Sequence, residues 1–334
     1  MNIIIPMAGK GTRLRPHTLT TPKPLIPIAG KAIVHRLVED IAKVCGEPID
    51  EIGFVIGDFS DEVKERLHDI AASVGAKAKI YHQEKALGTA HAILTAKESL
   101  KGKTLVAFAD TLFNANFKLD TDQDGIIWVH KVENPSAFGV VKLANDNTIV
   151  DFVEKPDKFV SDLAIIGIYY FKDGENLKKE LQYLVDEEVI KSGEYQLTDA
   201  LENMKVKGLK FVTGQVTEWL DCGNKESTVF TNQRYLEYLK GTNLIDPSAN
   251  IGQSIIIEPV FIGEGVKLIN AVVGPHVSLG AGTEVKNSII RNSIVQKNTI
   301  IIDAHLEDSM LGNNVQYHGA AQDISIGDYN IIKQ

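Results

Sequence analysis

Four basic side chains crowd a glycine-bearing stretch near the N-terminus. Lys10 stands between Gly9 and Gly11, Arg13 and Arg15 follow them, and Lys23 stands between Pro22 and Pro24. The stretch leaves an apolar run, Ile3-Ile4-Ile5. Glycines at such an exit let backbone N–H groups approach a polyphosphate without Cβ collisions, while the cations supply countercharge. The pattern is not a Walker loop, because its closing Gly-Lys-Ser/Thr is absent, and it is not a dinucleotide fingerprint, because Leu14 stands where a third glycine belongs. An ordinary strand-to-helix turn with solvated cations is the plain alternative. Farther on, Asp110 closes the apolar run Leu105-Val106-Ala107-Phe108, and Asp221 follows Trp219-Leu220. Carboxylates at strand C-termini lie where open α/β sheets bind ligands. A lone aspartate is more often a surface turn.

These residues need elements to hold them. Before residue 240, short β-branched runs at 2–5, 52–56, 104–108, 126–130 and 165–171 read as mostly buried strands. Between the first of them lie two helical stripes, Ile33/Leu37/Ile41/Val44 and Val63/Leu67/Ile70/Val74, the second stopped by Gly75. Such alternation predicts an α/β layered sheet, parallel at its start. A last helical pattern, 226–239, ends at Gly241. Beyond it, Ile256, Ile262 and Leu268 stand six apart, and after a one-residue slip so do Val273, Leu279 and Val285. Gly263, Gly274 and Gly280 directly follow apolar positions. A phased six-residue repeat predicts a parallel β-helix rather than irregular antiparallel strands. The chain therefore divides into an α/β domain, 1–240, and a β-helix domain, 241–334.

Composition limits the rest. The chain has 334 residues, enough for two domains, and 44% hydrophobic with 24% charged residues is ordinary for a globular protein. The longest apolar run, 163–171, is far short of the roughly twenty residues that a spanning helix needs. The N-terminus has no basic lead-in and no long apolar stretch, so no signal peptide or membrane partner is expected. Two cysteines make neither a disulfide framework nor a zinc site, and a cytoplasmic location is the default. A net charge of −9 excludes a general nucleic-acid binder, though not a phosphorylated small molecule met by local positive charge.

In combination, Gly9-x-Gly11-Thr12-Arg13-Leu14-x-Pro16 followed by Pro22-Lys23-Pro24 resembles the signature of the sugar-1-phosphate nucleotidyltransferases, in particular glucose-1-phosphate thymidylyltransferases. Four more pieces follow in that family's order: Gln83-Glu84-x-x-Leu87-Gly88-Thr89-Ala90, Ala109-Asp110-Thr111, Val153-Glu154-Lys155-Pro156 and Trp219-Leu220-Asp221-Cys222-Gly223. The resemblance covers 1 to about 240 and implies a Rossmann-like mixed sheet. A left-handed β-helix tail is a known addition in the family. Ala109 stands where the family usually has Gly, and Cys222-Gly223-Asn224 replaces a more usual Thr-Gly-Thr.

The resemblance implies attack of a sugar-1-phosphate oxygen on the α-phosphorus of a nucleoside triphosphate, with release of pyrophosphate. Two mutually repelling polyanions react, so charge neutralisation and in-line positioning dominate. Arg13 would bind the departing β,γ-phosphates, and Lys23 would sit near the α-phosphate and the sugar phosphate. Ala8, Gly9, Gly11 and Thr12 would line the triphosphate. Gln83, Gly88 and Thr89 would meet the base; a glutamine amide suits the imide edge of uracil or thymine. Gly139, Glu154 and Lys155 would form the sugar-phosphate site, although Lys155 alone reads equally as a solvated turn residue. Asp110 and Asp221 would hold Mg²⁺, a hard cation that takes few protein ligands.

The favoured substrates are dTTP or UTP with glucose-1-phosphate, and a homo-oligomer is expected. Alternatives are a guanylyltransferase for mannose-1-phosphate, a non-catalytic homologue assembling through its β-helix, or a bifunctional enzyme with acyl transfer in the tail. Retention of Arg13, Lys23, Asp110 and Asp221 speaks against a dead relative. His276, His305 and His318 are the tail's candidate histidines, with no carboxylate partner assignable from sequence. His91 reads as a capping or packing residue, and Trp219 as a packed anchor.

Overall fold

The computed structural model describes residues 1–191 and 193–320. The end of the expected tail, 321–334, lies outside the described residues. Two compact units emerge: 1–26 with 31–228, and 27–30 with the chain from 229 onward.

The first unit is built on a nine-stranded mixed sheet. β1 (Asn2–Pro6) leads through helix α1 (Ile33–Cys45) to β2 (Glu51–Ile56), then α2 (Asp61–Ser73), β3 (Lys77–His82), α3 (Thr89–Thr95) and β4 (Thr104–Ala107). A short hairpin partner, β5 (Thr111–Asn114), precedes β6 (Gly125–Lys131), β7 (Gly139–Leu143), β8 (Ile149–Glu154) and β9 (Leu163–Phe171). Helices α4 (Gly174–Asp186) and α5 (Leu197–Val206) follow, then β10 (Phe211–Gln215) and β11 (Glu218–Asp221); the next helix, α6 (Lys225–Tyr238), belongs from Val229 on to the second unit. Strand order is β8-β7-β9-β4-β1-β2-β3, with β6 against β9 and β10.

Periodicity explains the helices. All four α1 stripe residues are buried, and the helix stops at Gly46, whose φ of 68° is left-handed. α2 begins at Ser60, whose Oγ accepts from the Val63 N–H at 3.4 Å, and Asp61 and Glu62 occupy its first turn, where negative charge suits the helix dipole. The parallel start is as expected: β1 pairs parallel with both β2 and β4. β9 then enters antiparallel against β4 and β6. Ile4, Val55 and Val106 from the parallel strands join Tyr169, Phe171 and Phe211 in one buried core. Among the described residues no helix is long and apolar enough to cross a membrane.

The second unit is a stack of coils consistent with a left-handed β-helix. Its strands fall into three four-stranded parallel sheets. The six phased residues pair as the repeat demands: Ile256 with Val273, Ile262 with Leu279, and Leu268 with Val285. Each partner lies seventeen residues on, one short of three sixes; that is the slip in the sequence. Later coils shorten again, since Val285 pairs with Ile301. Apart from half-buried Ile256, the six line the buried core. A Cβ on Gly263 or Gly280 would meet backbone of the next coil at 2.8 or 2.7 Å, so only glycine lets the coils stack there. His276 has the carboxylate partner that sequence could not assign: its Nε2 lies 2.6 Å from Glu237 Oε1.

Candidate active site

β1 and β4 are adjacent and parallel, so their C-terminal ends open side by side. Met7 still donates to Val55 O at 2.8 Å, and the chain then leaves the sheet as the glycine loop. Gly11 takes φ 57°, and the next residues form a tight turn, Thr12–Leu14, closed by the Leu14 N–H on Gly11 O at 3.0 Å. Leu14 is fully buried, worth roughly 1.5–3 kcal/mol as an anchor. Its neighbour Arg13 is thereby held outward, exposed, on a cavity wall.

Lys23 is positioned from both sides. It opens a one-turn segment, Lys23–Leu25, and a Cβ on Gly11 would come within 2.9 Å of Lys23 Cβ. The loop and the lysine stem are thus packed together. Lys23 is only 8% exposed, yet its ammonium reaches Asp110 Oδ2 at 2.9 Å. A buried cation on a locked stem is a fixed point of charge rather than a flexible tether.

Asp110 sits in the turn after β4, where Ala109 donates to Pro6 O and Thr111 donates to Phe108 O. Antiparallel pairing of β11 with β5 sets Asp221 opposite Thr111, and the Cys222 N–H donates to Asp110 O at 2.9 Å. The two aspartates, 111 positions apart in sequence, are therefore neighbours. A Cβ on Gly223, a cavity residue, would lie 2.8 Å from Asp221 Oδ2, which places that carboxylate at the cavity's edge. Cys222, where the family pattern differs, is buried and supplies this link through its backbone.

A cavity of about 370 Å³ collects these groups. Ala8, Gly9, Gly11, Thr12 and Arg13 form one wall, with Lys23 and Asp110 beside them. Gln83, Gly88 and Thr89 line it too. Gln83 follows β3 and is tied to β2 through its N–H on Ile56 O at 2.9 Å. Gly88 has φ 111°, and a Cβ there would lie 2.5 Å from Tyr195 O, so only glycine fits. Tyr195 clasps this loop, donating to Leu87 O and accepting from the Ala90 N–H, while Thr89 Oγ1 accepts from the Leu197 N–H.

Gly139, Glu154 and Lys155 do not line that cavity; they form a second cluster. A Cβ on Gly139 would come within 2.9 Å of Glu154 Oε2. Burial raises the Glu154 carboxyl above its ordinary value, and Asp199 and Glu194 add to the rise against the pull of Lys155. Lys155 Nζ lies 3.8 Å from Glu154 Oε1. Glu194, which sequence reasoning missed, lines the main cavity and so joins the clusters electrostatically. Only its fold-level pairing, through Tyr195, brings it there; no local pattern marks it. Trp219 is the packed anchor expected, edge-on to Phe138 at 5.2 Å and donating to Thr111 Oγ1.

Among the described residues no group of three or more His, Cys, Asp and Glu side chains could hold a metal. A closed site of protein ligands is therefore not built here. Two carboxylates on adjoining segments, Asp110 on the cavity and Asp221 beside its Gly223, fit Mg²⁺, a hard cation that takes few protein ligands and fills its shell with water or phosphate oxygens.

A sheet with parallel strands at its centre, opening at their C-terminal ends onto a glycine-lined, cation-bearing cavity, defines the nucleotide-handling α/β class. The family model described as nucleotidyl transferase matches residues 2–237. The chain belongs to that family and is a nucleotidyltransferase acting on sugar phosphates. It is 31% identical over 337 residues to a protein named bifunctional protein GlmU from Methanococcus maripaludis, covering 95% of this chain and 79% of that one. It is 28% identical over 358 residues to a glucose-1-phosphate thymidylyltransferase from Streptomyces griseus, covering 99% and 98%. A UDP-glucose pyrophosphorylase solved with UDP-glucose shares the fold, with a TM-score of 0.58 at 24% identity over 71% of this chain and 98% of that one.

Proposed function

We propose that this enzyme transfers a nucleotidyl group from dTTP or UTP to glucose-1-phosphate, releasing pyrophosphate, with Mg²⁺ as cofactor. The observation that carries the reading is the buried Lys23 ammonium, 2.9 Å from Asp110 in a cavity walled by the glycine loop and Arg13. Asp110 and Asp221 would hold Mg²⁺, which when bound neutralises phosphate charge and orients the phosphates. Backbone N–H groups between Ala8 and Thr12 receive the triphosphate. Arg13 stabilises the charge that grows on the leaving β,γ-phosphates. Lys23 stands between the α-phosphate and the sugar phosphate, cutting the repulsion that keeps two anions apart. Gln83, Gly88 and Thr89 take the base. Glu154 accepts from sugar hydroxyls over Gly139, and Lys155 approaches the sugar phosphate.

The same reading takes the enzyme as cytoplasmic, in keeping with two buried, unbridged cysteines. It also takes it as a homo-oligomer through the β-helix, supported by the stacked outward residues Ile255, Val272 and Ile289, the first 59% exposed. Sedimentation measures that directly; a monomer at micromolar concentration overturns it.

Incubating the protein with Mg²⁺, the five common nucleoside triphosphates and a panel of sugar phosphates, with pyrophosphate measured, tests the substrate reading. Turnover greatest with dTTP or UTP and glucose-1-phosphate is expected. Turnover with GTP and mannose-1-phosphate alone selects the guanylyl alternative, and no pyrophosphate with any pair overturns the reading.

A further inference from the structure

We infer that Thr18 is a positioning residue: its hydroxyl holds the Gly11 carbonyl and thereby aims the Thr12 N–H at the triphosphate. The inference rests on the proposed placement of the triphosphate along the glycine loop. Thr18 Oγ1 donates to Gly11 O at 2.7 Å, and the Leu14 N–H donates to the same oxygen at 3.0 Å. Leu14 is fully buried, and neither it nor Thr18 lines the cavity. The Gly11 carbonyl is therefore turned into the protein. The peptide joining Gly11 to Thr12 is trans, so its N–H lies on the opposite edge of one rigid plane. Thr12 lines the cavity, and its N–H has no acceptor among the described residues.

A glycine is where such a clamp matters. Gly11 has no Cβ to restrict the torsion that swings this peptide plane, so the plane's direction depends on what holds its carbonyl. The Leu14 bond is local and closes a single turn. The Thr18 bond comes from seven residues on and ties the loop to the separate His17–Leu19 turn. The two branches of the Thr18 side chain act differently. Cγ2 packs against Gly11, 3.1 Å from where a Cβ would stand, while Oγ1 carries the bond. Packing and hydrogen bonding can therefore be removed one at a time. Losing the hydroxyl should weaken triphosphate binding by roughly threefold to tenfold, the worth of one net hydrogen bond.

Titration calorimetry of the full chain with inorganic tripolyphosphate and Mg²⁺ tests this in the wild type, Thr18→Val, Thr18→Ser and Gly9→Ala. KM for glucose-1-phosphate is measured beside it at saturating triphosphate. Valine keeps the methyl and the volume without the hydroxyl, and serine keeps the hydroxyl without the methyl. Thr18→Val is expected to bind tripolyphosphate roughly threefold to tenfold more weakly, with KM for glucose-1-phosphate unchanged and with wild-type binding retained in Thr18→Ser. Unchanged tripolyphosphate binding in Thr18→Val overturns the inference, and so does an equal loss in Thr18→Ser. Gly9→Ala tells this failure from that of the underlying reading. Weaker binding in Gly9→Ala with none in Thr18→Val removes only the role of Thr18, whereas no loss in Gly9→Ala contradicts the placement of the triphosphate and the inference with it.

Discussion

Gly9 and Gly11 stand two residues apart in one loop and answer to different demands. A Cβ on Gly9 meets no protein atom within 4 Å, whereas one on Gly11 meets Lys23 Cβ at 2.9 Å at a left-handed φ. Gly9→Ala should therefore leave thermal stability unchanged while lowering kcat/KM at least tenfold, because on the proposed reading that open space receives phosphate. Equal activity in a pyrophosphate assay would take the triphosphate away from this loop. Gly11→Ala should cost about 1–2 kcal/mol of stability as well, through the left-handed conformation and the displaced lysine stem. Arg13→Ala should reduce kcat far more than nucleotide affinity, since in its proposed role it meets charge that develops only as pyrophosphate leaves; a loss confined to KM would refute that role. Glu154 carries a signed prediction. Its carboxyl is raised in the fold, so the native state holds that proton more tightly than the unfolded chain does, and stability falls as pH rises through the carboxylate range. Glu154→Gln should raise the melting temperature at pH 7, by less at acidic pH, while weakening sugar-phosphate binding; a lower melting temperature at pH 7 would contradict the burial argument. At this scale the glycines, Arg13, Lys23 and Asp110 were legible because ordered short motifs contain them. Glu194 was not, because its place at the cavity depends on which loops the fold brings together.

Among the elements, legibility followed period. The α1 and α2 stripes and the phased residues of the β-helix could be read directly, since burial imposes a fixed repeat on each. Even the one-residue slip corresponds to a feature, the seventeen-residue coil that pairs Leu268 with Val285. Strand order in the mixed sheet could not be read. Nothing in the run Leu163–Phe171 says that it will lie antiparallel between β4 and β6, because that choice is made by long-range packing of Tyr169 and Phe171. The β-helix also fixes where substitution is least tolerated. A Cβ on Gly274 would collide with the carbonyl oxygen of Ile257 in the coil before it. Gly274→Ala should therefore cost about 2 kcal/mol or more by denaturant unfolding. A change within ±0.5 kcal/mol would contradict the tight coil stacking described here.

For the whole molecule, charge is the organising quantity. The chain carries −9 overall, and its cavity sets Arg13 and buried Lys23 beside Asp110 and Glu194. On the proposed reading, exposed Arg13 draws in the triphosphate by local charge, which salt screens over a Debye length of about 10 Å at 0.1 M. KM for the triphosphate should thus rise several-fold with added potassium chloride, with kcat changing much less; a flat KM would mean that exposed charge does not draw the substrate in. On the proposed reading these groups let a sugar phosphate oxygen attack the α-phosphorus and expel pyrophosphate. Glucose-1-phosphate carrying ¹⁸O on its phosphate oxygens, turned over with Mg²⁺ and UTP or dTTP, tests it by mass spectrometry of both products. All label is predicted in the nucleotide sugar and none in pyrophosphate. Label in the pyrophosphate would mean that the bond formed and the bond broken are not those assigned, and would contradict the account.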